Sequence, residues 1–242
     1  MASVALVGFA GLVVGFSKTS LGGLSVIATV IFASAMPARA STGALLAVLI
    51  VGDVVAVTTY RRSADWTLVR SLLPAIVPGL IVGAVFLRLV DDTTLRRSIG
   101  LIILILLALQ LWLLLRRTQP LRPIHPRAAS WLTGVAAGFT TMTANAAGAV
   151  ITLFLVAKGV DKQRFLGTMA WFFLGINLSK VPFSVALGLL GPHDILRAVE
   201  LAPLVIAGGW LGWHAAQRLT QRSFEMAVIL ASAIGAVTLV VR

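Results

Sequence analysis

The chain contains no cysteine and very little acid: of 242 residues, 8 are Asp or Glu, against 20 Lys and Arg. Without cysteine there is no disulfide, no thiolate nucleophile and no Cys-based metal site. Histidine is also scarce. His125, His193 and His214 lie in or beside polar segments, with no HExxH or paired-His spacing, so no zinc site is expected. Charged residues make up 12% of the chain, about half the share of a soluble domain, whereas 59% is hydrophobic and mean hydropathy is +1.00. This balance excludes an ordinary cytosolic enzyme, a disordered chain and a disulfide-built secreted module. It leaves an integral membrane protein made of helices. The net charge of +12 does not point to nucleic acid. The basic residues sit in short loops between apolar runs, where Lys and Arg orient membrane proteins. No signal peptide is expected, because the first apolar run begins at Ala2 with no basic residue before it.

Eight apolar runs can be marked: 3–35, 41–60, 68–87, 95–115, 128–157, 165–190, 198–216 and 224–241. Six have about the length of one span, near 20 residues. The run 3–35 is too long: as one helix it would reach about 50 Å, against a hydrocarbon core of about 30 Å. The run 128–157 is similarly long. Both are interrupted by small and polar residues. The first carries Ser17, Lys18, Thr19, Ser20, Leu21, Gly22 and Gly23, and the second Thr140, Thr141, Met142, Thr143, Ala144 and Asn145.

These two segments open two halves of one repeat. Gly11, Gly15, Phe16 and Ser17 recur as Gly134, Gly138, Phe139 and Thr140 at an offset of 123, as does Arg39 in Lys162. Gly79 and Gly83 recur as Gly208 and Gly212 at 129, and Arg88 and Leu89 as Arg218 and Leu219 at 130. Each half is one broken segment followed by three ordinary spans. The first repeat is 1–117, the Pro-containing linker 118–127 and the second repeat 128–242. Weak, ordered internal similarity of this kind is what transporter folds show.

Charge decides whether the broken segments cross the membrane. If each re-enters and leaves on one side, one face of the membrane collects 12 Lys and Arg and the other 6. If each crosses once, the loops split 9 to 9. The positive-inside rule prefers the hairpins. Three full spans per half is an odd number, so the halves are inverted. The linker is then cytoplasmic and the N-terminus external. Trp66, Trp112, Trp131, Trp210 and Trp213 fall near cytoplasmic ends, like an aromatic belt. The expected fold is an all-α polytopic membrane protein of two inverted repeats, each a re-entrant helical hairpin plus three transmembrane helices.

Polar residues at membrane depth mark the site. Lys18 lies at the first break, Asp53 just past the middle of 41–60, and Asn177 and Lys180 near the middle of 165–190. A charge at the bilayer centre costs about 3 kcal/mol or more, so these groups need a common polar interior. Lys180 has at least seven helix residues on either side, which makes snorkelling to an interface hard. A structural Lys180–Asp53 ion pair is the other reading. Around Lys18, the hydroxyls of Ser17, Thr19 and Ser20 and the tight turn allowed by Gly22 and Gly23 suggest an anion site at a half-helix N-terminus. Thr140, Thr141, Thr143 and Asn145 offer the same from the second break. A Ser/Thr-mediated helix contact is the plainer alternative. Asp53 is the candidate coupling residue, since a lone mid-membrane carboxylate is either paired or protonated. No catalytic constellation exists: no His lies deep, Asp53 is the one intramembrane Asp, and Asp91 and Asp92 sit in a loop.

The second half reads Gly138-Phe-Thr-Thr-Met-Thr-Ala-Asn145-Ala-Ala-Gly148, then Lys162, Phe165-Leu-Gly167-Thr168, Ala170-Trp171-Phe172-Phe173, Asn177 and Lys180-Val-Pro182-Phe183. This string, with the duplicated layout, resembles the sulfite exporter TauE/SafE family of membrane transporters over essentially the whole chain. The first half departs from it at the stretch 17–23. The resemblance implies transport of sulfite, sulfonates or other small sulfur-containing or organic anions, with no enzyme activity and no cofactor. The expectation is therefore an alternating-access carrier in the inner cell membrane, with a small anion as partner. An anion channel stands as the alternative. Its site residues are Lys18, Ser17, Thr19, Ser20, Thr140, Thr141, Thr143, Asn145, Asn177 and Lys180, with Asp53 for coupling.

Overall fold

A computed structural model describes residues 2–20, 25–115, 126–158 and 160–218. Gly22, Gly23, most of the linker and the run 224–241 lie outside the described residues. Among those described there are nine helices and no strand: α1 (Ala2–Thr19), α2 (Ser25–Ala35), α3 (Ala38–Tyr60), α4 (Trp66–Leu89), α5 (Asp92–Leu115), α6 (Pro126–Ala144), α7 (Ala147–Ala157), α8 (Lys162–Ala186) and α9 (Pro192–Arg218). Four of them, α3, α4, α8 and α9, are long and apolar enough to cross a membrane. The chain is a helical, multi-pass membrane protein.

Both long runs break where small polar residues interrupt them. α2 and α7 have 11 residues each, about 16 Å of helix, too short for a hydrocarbon core of about 30 Å. The first residue of α2 is tied back to α1, because Ser25 N–H donates to Ser17 Oγ at 2.8 Å. α6 ends on Asn145, the one non-Gly residue with positive φ (50°) among those described. Asn tolerates this left-handed turn and commonly ends helices in it.

The packing follows the sequence offsets. α1 lies parallel to α9, with Gly15 against Val205 and Gly209, and Gly212 against Phe16 and Thr19. α6 lies parallel to α4 in the matching way: Gly138 meets Ile76 and Leu80, and Gly83 meets Phe139 and Met142. At Gly15 and Gly138 a Cβ would collide with the backbone carbonyl of the facing helix, so only Gly permits the approach. In a membrane such approach, rather than water exclusion, holds helices together. The rims match too. Arg39 Nη1 donates to Leu87 O at 2.7 Å, and Lys162 Nζ donates to Ala216 O, the same pair shifted by 123 and 129. Cations there complement the negative ends of α4 and α9. Both helices also carry a proline at one repeat position, Pro74 and Pro203.

Each half therefore leans on the other. One apolar core joins α2 (Val26, Val30 and Ala33), Ala38 at the start of α3, α4 and α5 to α6, α7 and α8, and a second joins α1, α2 and α3 to α9. α3 and α8 cross between the cores and run antiparallel: Trp171 Nε1 faces Arg61 O at 3.4 Å, while Asn177 meets Asp53. Asp65 and Asp161 cap α4 and α8, each accepting two backbone N–H bonds.

Candidate functional site

The first break is held from three sides. Thr19 Oγ1 donates to Gly209 O of α9 at 2.7 Å, and the Tyr60 hydroxyl of α3 donates to Thr19 O at 2.6 Å. The Tyr60 bond satisfies a carbonyl at the C-terminal end of α1, and the Thr19 hydroxyl bridges that end to a carbonyl in the middle of α9. Lys18 points inward, with a side chain only 7% exposed. Its ammonium sits 2.6 Å from Asp53 Oδ1 and 4.2 Å from the centre of the Phe173 ring, a cation–π distance. Gly52 lets this happen, since its Cα side lies against Lys18 Cγ and Val14 Cγ1.

The second break is stapled. Lys180 is fully buried on α8, and its ammonium donates to Thr141 O at 2.8 Å and to Asn145 Oδ1. An ammonium at the C-terminal end of α6 faces the negative end of the helix dipole, and it shares the Thr141 carbonyl with the Asn145 N–H at 3.1 Å. Thr140 and Thr143 donate their hydroxyls to carbonyls of their own helix, Ala136 O at 2.7 Å and Phe139 O at 2.8 Å. Such back-bonding satisfies a hydroxyl at depth without a second helix.

Asp53 is the node between the breaks. It is fully buried, with Oδ1 on Lys18 and Oδ2 accepting from Asn177 Nδ2 at 2.6 Å. Gly43 and Gly167 are equivalent at an offset of 124, each lying against the loop that precedes α9 or α4 respectively. The same offset relates Asp53 to Asn177, so the central bond joins two equivalent positions. Isolated charges at this depth would each cost several kcal/mol, and pairing offsets part of that.

A small cavity adjoins Lys18. It holds about 10 Å³, room for one water, between the first break and α8. Ser17, Lys18, Ser20 and Ser25 form one wall, and Phe165, Met169, Ala170 and Phe173 face them. Ser20 Oγ is buried with no hydrogen-bond partner among the described residues.

Of the residues named from sequence, Ser17, Lys18 and Ser20 line this cavity. Thr19 anchors the tip to α9 instead. Asp53 and Asn177 sit behind Lys18. Thr140, Thr141, Thr143, Asn145 and Lys180 gather at the second break. Sequence reasoning missed Ser25, Tyr60 and Phe173. Ser25 alone carried a signal, as a hydroxyl at the first position after the break. Among the described residues no group of His, Asp and Glu could hold a metal.

Comparison with known proteins gives one family. The model described as sulfite exporter TauE/SafE matches residues 7–239, nearly the whole chain. Neither a curated protein nor a solved structure gives a significant match. The chain belongs to the TauE/SafE family, and is thus a membrane transporter rather than an enzyme.

Proposed function

We propose that this member of the family carries a small sulfur-containing or organic anion, such as sulfite or a sulfonate, across the inner cell membrane by alternating access with proton coupling at Asp53. The single observation that carries this reading is Lys18. It is a buried cation, paired with a buried carboxylate, at a cavity edged by a hydroxyl, that of Ser20, with no partner among the described residues. An anion entering there competes with Asp53 for Lys18. A carboxylate that loses its cation away from water is neutralised by a proton, so anion and proton travel together. A cavity with room for only about one water favours a carrier over a channel, which needs a continuous lined path.

The same reading takes the halves 1–117 and 128–242 as inverted repeats joined by a cytoplasmic linker at 118–127. The antiparallel run of α3 and α8, the paired glycine interfaces and the short α2 and α7 support it. Two experiments test the proposal. In proteoliposomes, labelled sulfite uptake should saturate, exchange with internal sulfite and accelerate under an inward proton gradient. Asp53→Asn should keep exchange and lose the acceleration. Uptake that stays linear in sulfite and indifferent to internal sulfite would overturn the carrier. For topology, single cysteines at Ala2 and Arg39 should react with an impermeant reagent from the same, external side. Labelling from opposite sides would remove the hairpin.

A further inference from the structure

The rim where α3, α4 and α8 meet carries charge that the buried site does not use. A cleft of about 350 Å³ opens there, lined by Arg62, Ser63, Ala64, Asp65, Trp66 and Arg164. It is held in place by the scaffold: Gly167 lets the loop before α4 seat on α8, and Asp65 N–H donates to Thr168 Oγ1 at 2.9 Å. The nearby carboxylates are already occupied. Asp65 accepts the Thr67 and Leu68 N–H groups, and Asp161 those of Gln163 and Arg164. Arg164 meets Asp161 at 3.5 Å with both side chains mostly exposed, a contact of little strength in water. Arg62 has no ion-pair partner among the described residues. Arg61 precedes it and the exposed Arg70 stands one turn beyond Trp66, so guanidinium is in excess.

Below this cationic crown the same face turns apolar. Arg164, Trp171 and Leu178 follow at intervals of seven, two turns each, so they share one face of α8. Trp66, Leu73 and Val77 share the adjoining face of α4. The two faces meet: the Trp66 and Trp171 rings lie 5.0 Å apart, and a Cβ on Gly175 would stand 3.1 Å from Leu73 Cδ2. One turn further on, Val77 and Leu178 are exposed. Gly175 thus leaves a notch between two lipid-facing helices, directly under the aromatic pair.

The repeat shows that the fold does not require this crown. Offsets of 124 and 129 place Ala40, Ala47, Gly191 and Ile195 where Arg164, Trp171, Arg62 and Trp66 stand. The equivalent corner of the other half therefore has neither the two arginines nor the tryptophan pair, although Asp194 repeats the capping position of Asp65.

We propose that this corner binds an anionic phospholipid. Arg62 and Arg164 take the phosphate through charge-assisted hydrogen bonds, and one acyl chain runs over Trp66 and along Leu73, Gly175 and Leu178. Basic pockets between membrane helices hold anionic head groups, and tryptophan sits at head-group level. A free phosphate would use the crown and leave the apolar notch idle. A choline head group would bring its own cation to a place with excess guanidinium.

The test is native mass spectrometry of the purified, delipidated full chain titrated with dioleoylphosphatidylglycerol or dioleoylphosphatidylcholine. The first phosphatidylglycerol should bind at least about tenfold tighter than phosphatidylcholine. Arg62→Gln/Arg164→Gln should cut that preference to within about threefold. Arg88→Gln/Arg97→Gln removes the same charge at the far end of α4 and the start of α5, and should keep it. Gly175→Val fills the notch without touching a charge and should weaken phosphatidylglycerol by about threefold or more. It carries the test if the double arginine variant does not fold. Glycerol 1-phosphate at matched concentration should not displace the lipid; displacement would mean a site for free phosphate and overturn the lipid assignment. Equal binding of the two lipids by the native chain would overturn it too, as would a preference that survives loss of both arginines or an unchanged affinity in folded Gly175→Val. Sulfite flux plays no part in these readouts, so the lipid site stands or falls apart from the transport reading.

Discussion

Removing the Lys18 charge probes the centre most directly. On sequence alone, Lys18→Met is expected to fold well, because a buried charge disappears and length and apolar bulk are kept. The 2.6 Å contact with Asp53 Oδ1 reverses that expectation. The variant leaves a fully buried carboxylate with only the Asn177 amide as donor. Breaking a buried ion pair from one side costs about 3–5 kcal/mol. Protonation caps the loss, since neutralising an ordinary carboxylate at pH 7 costs about 4 kcal/mol, and the cap drops by about 1.4 kcal/mol for each unit of acidification. Lys18→Met should therefore lower stability by about 3–4 kcal/mol at pH 7 and by clearly less at pH 5. The double variant Lys18→Met/Asp53→Asn removes both charges and should recover at least about 1.5 kcal/mol relative to the single. The assay is the midpoint of SDS unfolding in mixed micelles, followed by tryptophan fluorescence, with the four proteins forming a cycle. Single losses that simply add, with coupling below about 0.5 kcal/mol, would refute the pairing.

The helix interfaces and rims give further outcomes. Gly15→Ala and Gly138→Ala should each destabilise by about 1–3 kcal/mol and by similar amounts, since both Cβ atoms meet a facing carbonyl; a neutral result at either site would contradict the close approach. Arg39→Met frees Leu87 O and Val90 O and should cost about 1–3 kcal/mol in the same unfolding assay, with Lys162→Met costing less because that side chain reaches a more exposed rim.

Much of the architecture was legible because it is written in local terms. The glycines at 11, 15, 134 and 138, with those at 79, 83, 208 and 212, recur at constant offsets because each pair serves the same helix crossing. The two breaks were legible because small polar residues cannot continue an apolar span unnoticed. The pairing inside the site was not. Lys18 and Lys180 were equally good partners for Asp53 on the chain, and only the crossing of α3 and α8 separates them. Lys180 stands one helical turn beyond Asn177, and the antiparallel crossing carries it toward the second break instead. The hydroxyls of Thr140 and Thr143 counted as free ligands in the sequence, yet a helical threonine can satisfy itself on the preceding turn. Phe173 belongs to the string that carries the family resemblance, but nothing in the sequence marks it as a partner of Lys18, since an aromatic in an apolar run is ordinary.

The central bond shows where the two halves stop being alike. Asp53 and Asn177 occupy equivalent positions and meet each other, so they lie where a twofold relation between the halves would place its axis. Two Asp there would repel at close range, and two Asn would leave Lys18 with no carboxylate. One of each gives a short bond and one negative charge. The lysines are unequal in the same sense. Lys18 belongs to the first broken segment and can leave Asp53 by rotating its own side chain. Lys180 reaches the second break from α8, and releasing it would break its bonds to the Thr141 carbonyl and to the Asn145 side chain, which sits in a left-handed turn. The ends of α1 and α6 are thus built alike but held with unequal strength. The prediction is asymmetric local opening. In hydrogen exchange, amides of α1 near Ser17–Ser20 should exchange faster in Asp53→Asn than in the native chain, because Lys18 loses its anchor. Amides near Thr141–Asn145 should stay protected, because Lys180 keeps both of its acceptors. Equal deprotection at the two breaks would mean that Asp53 holds both, and the distinction between a releasable and a fixed lysine would fall.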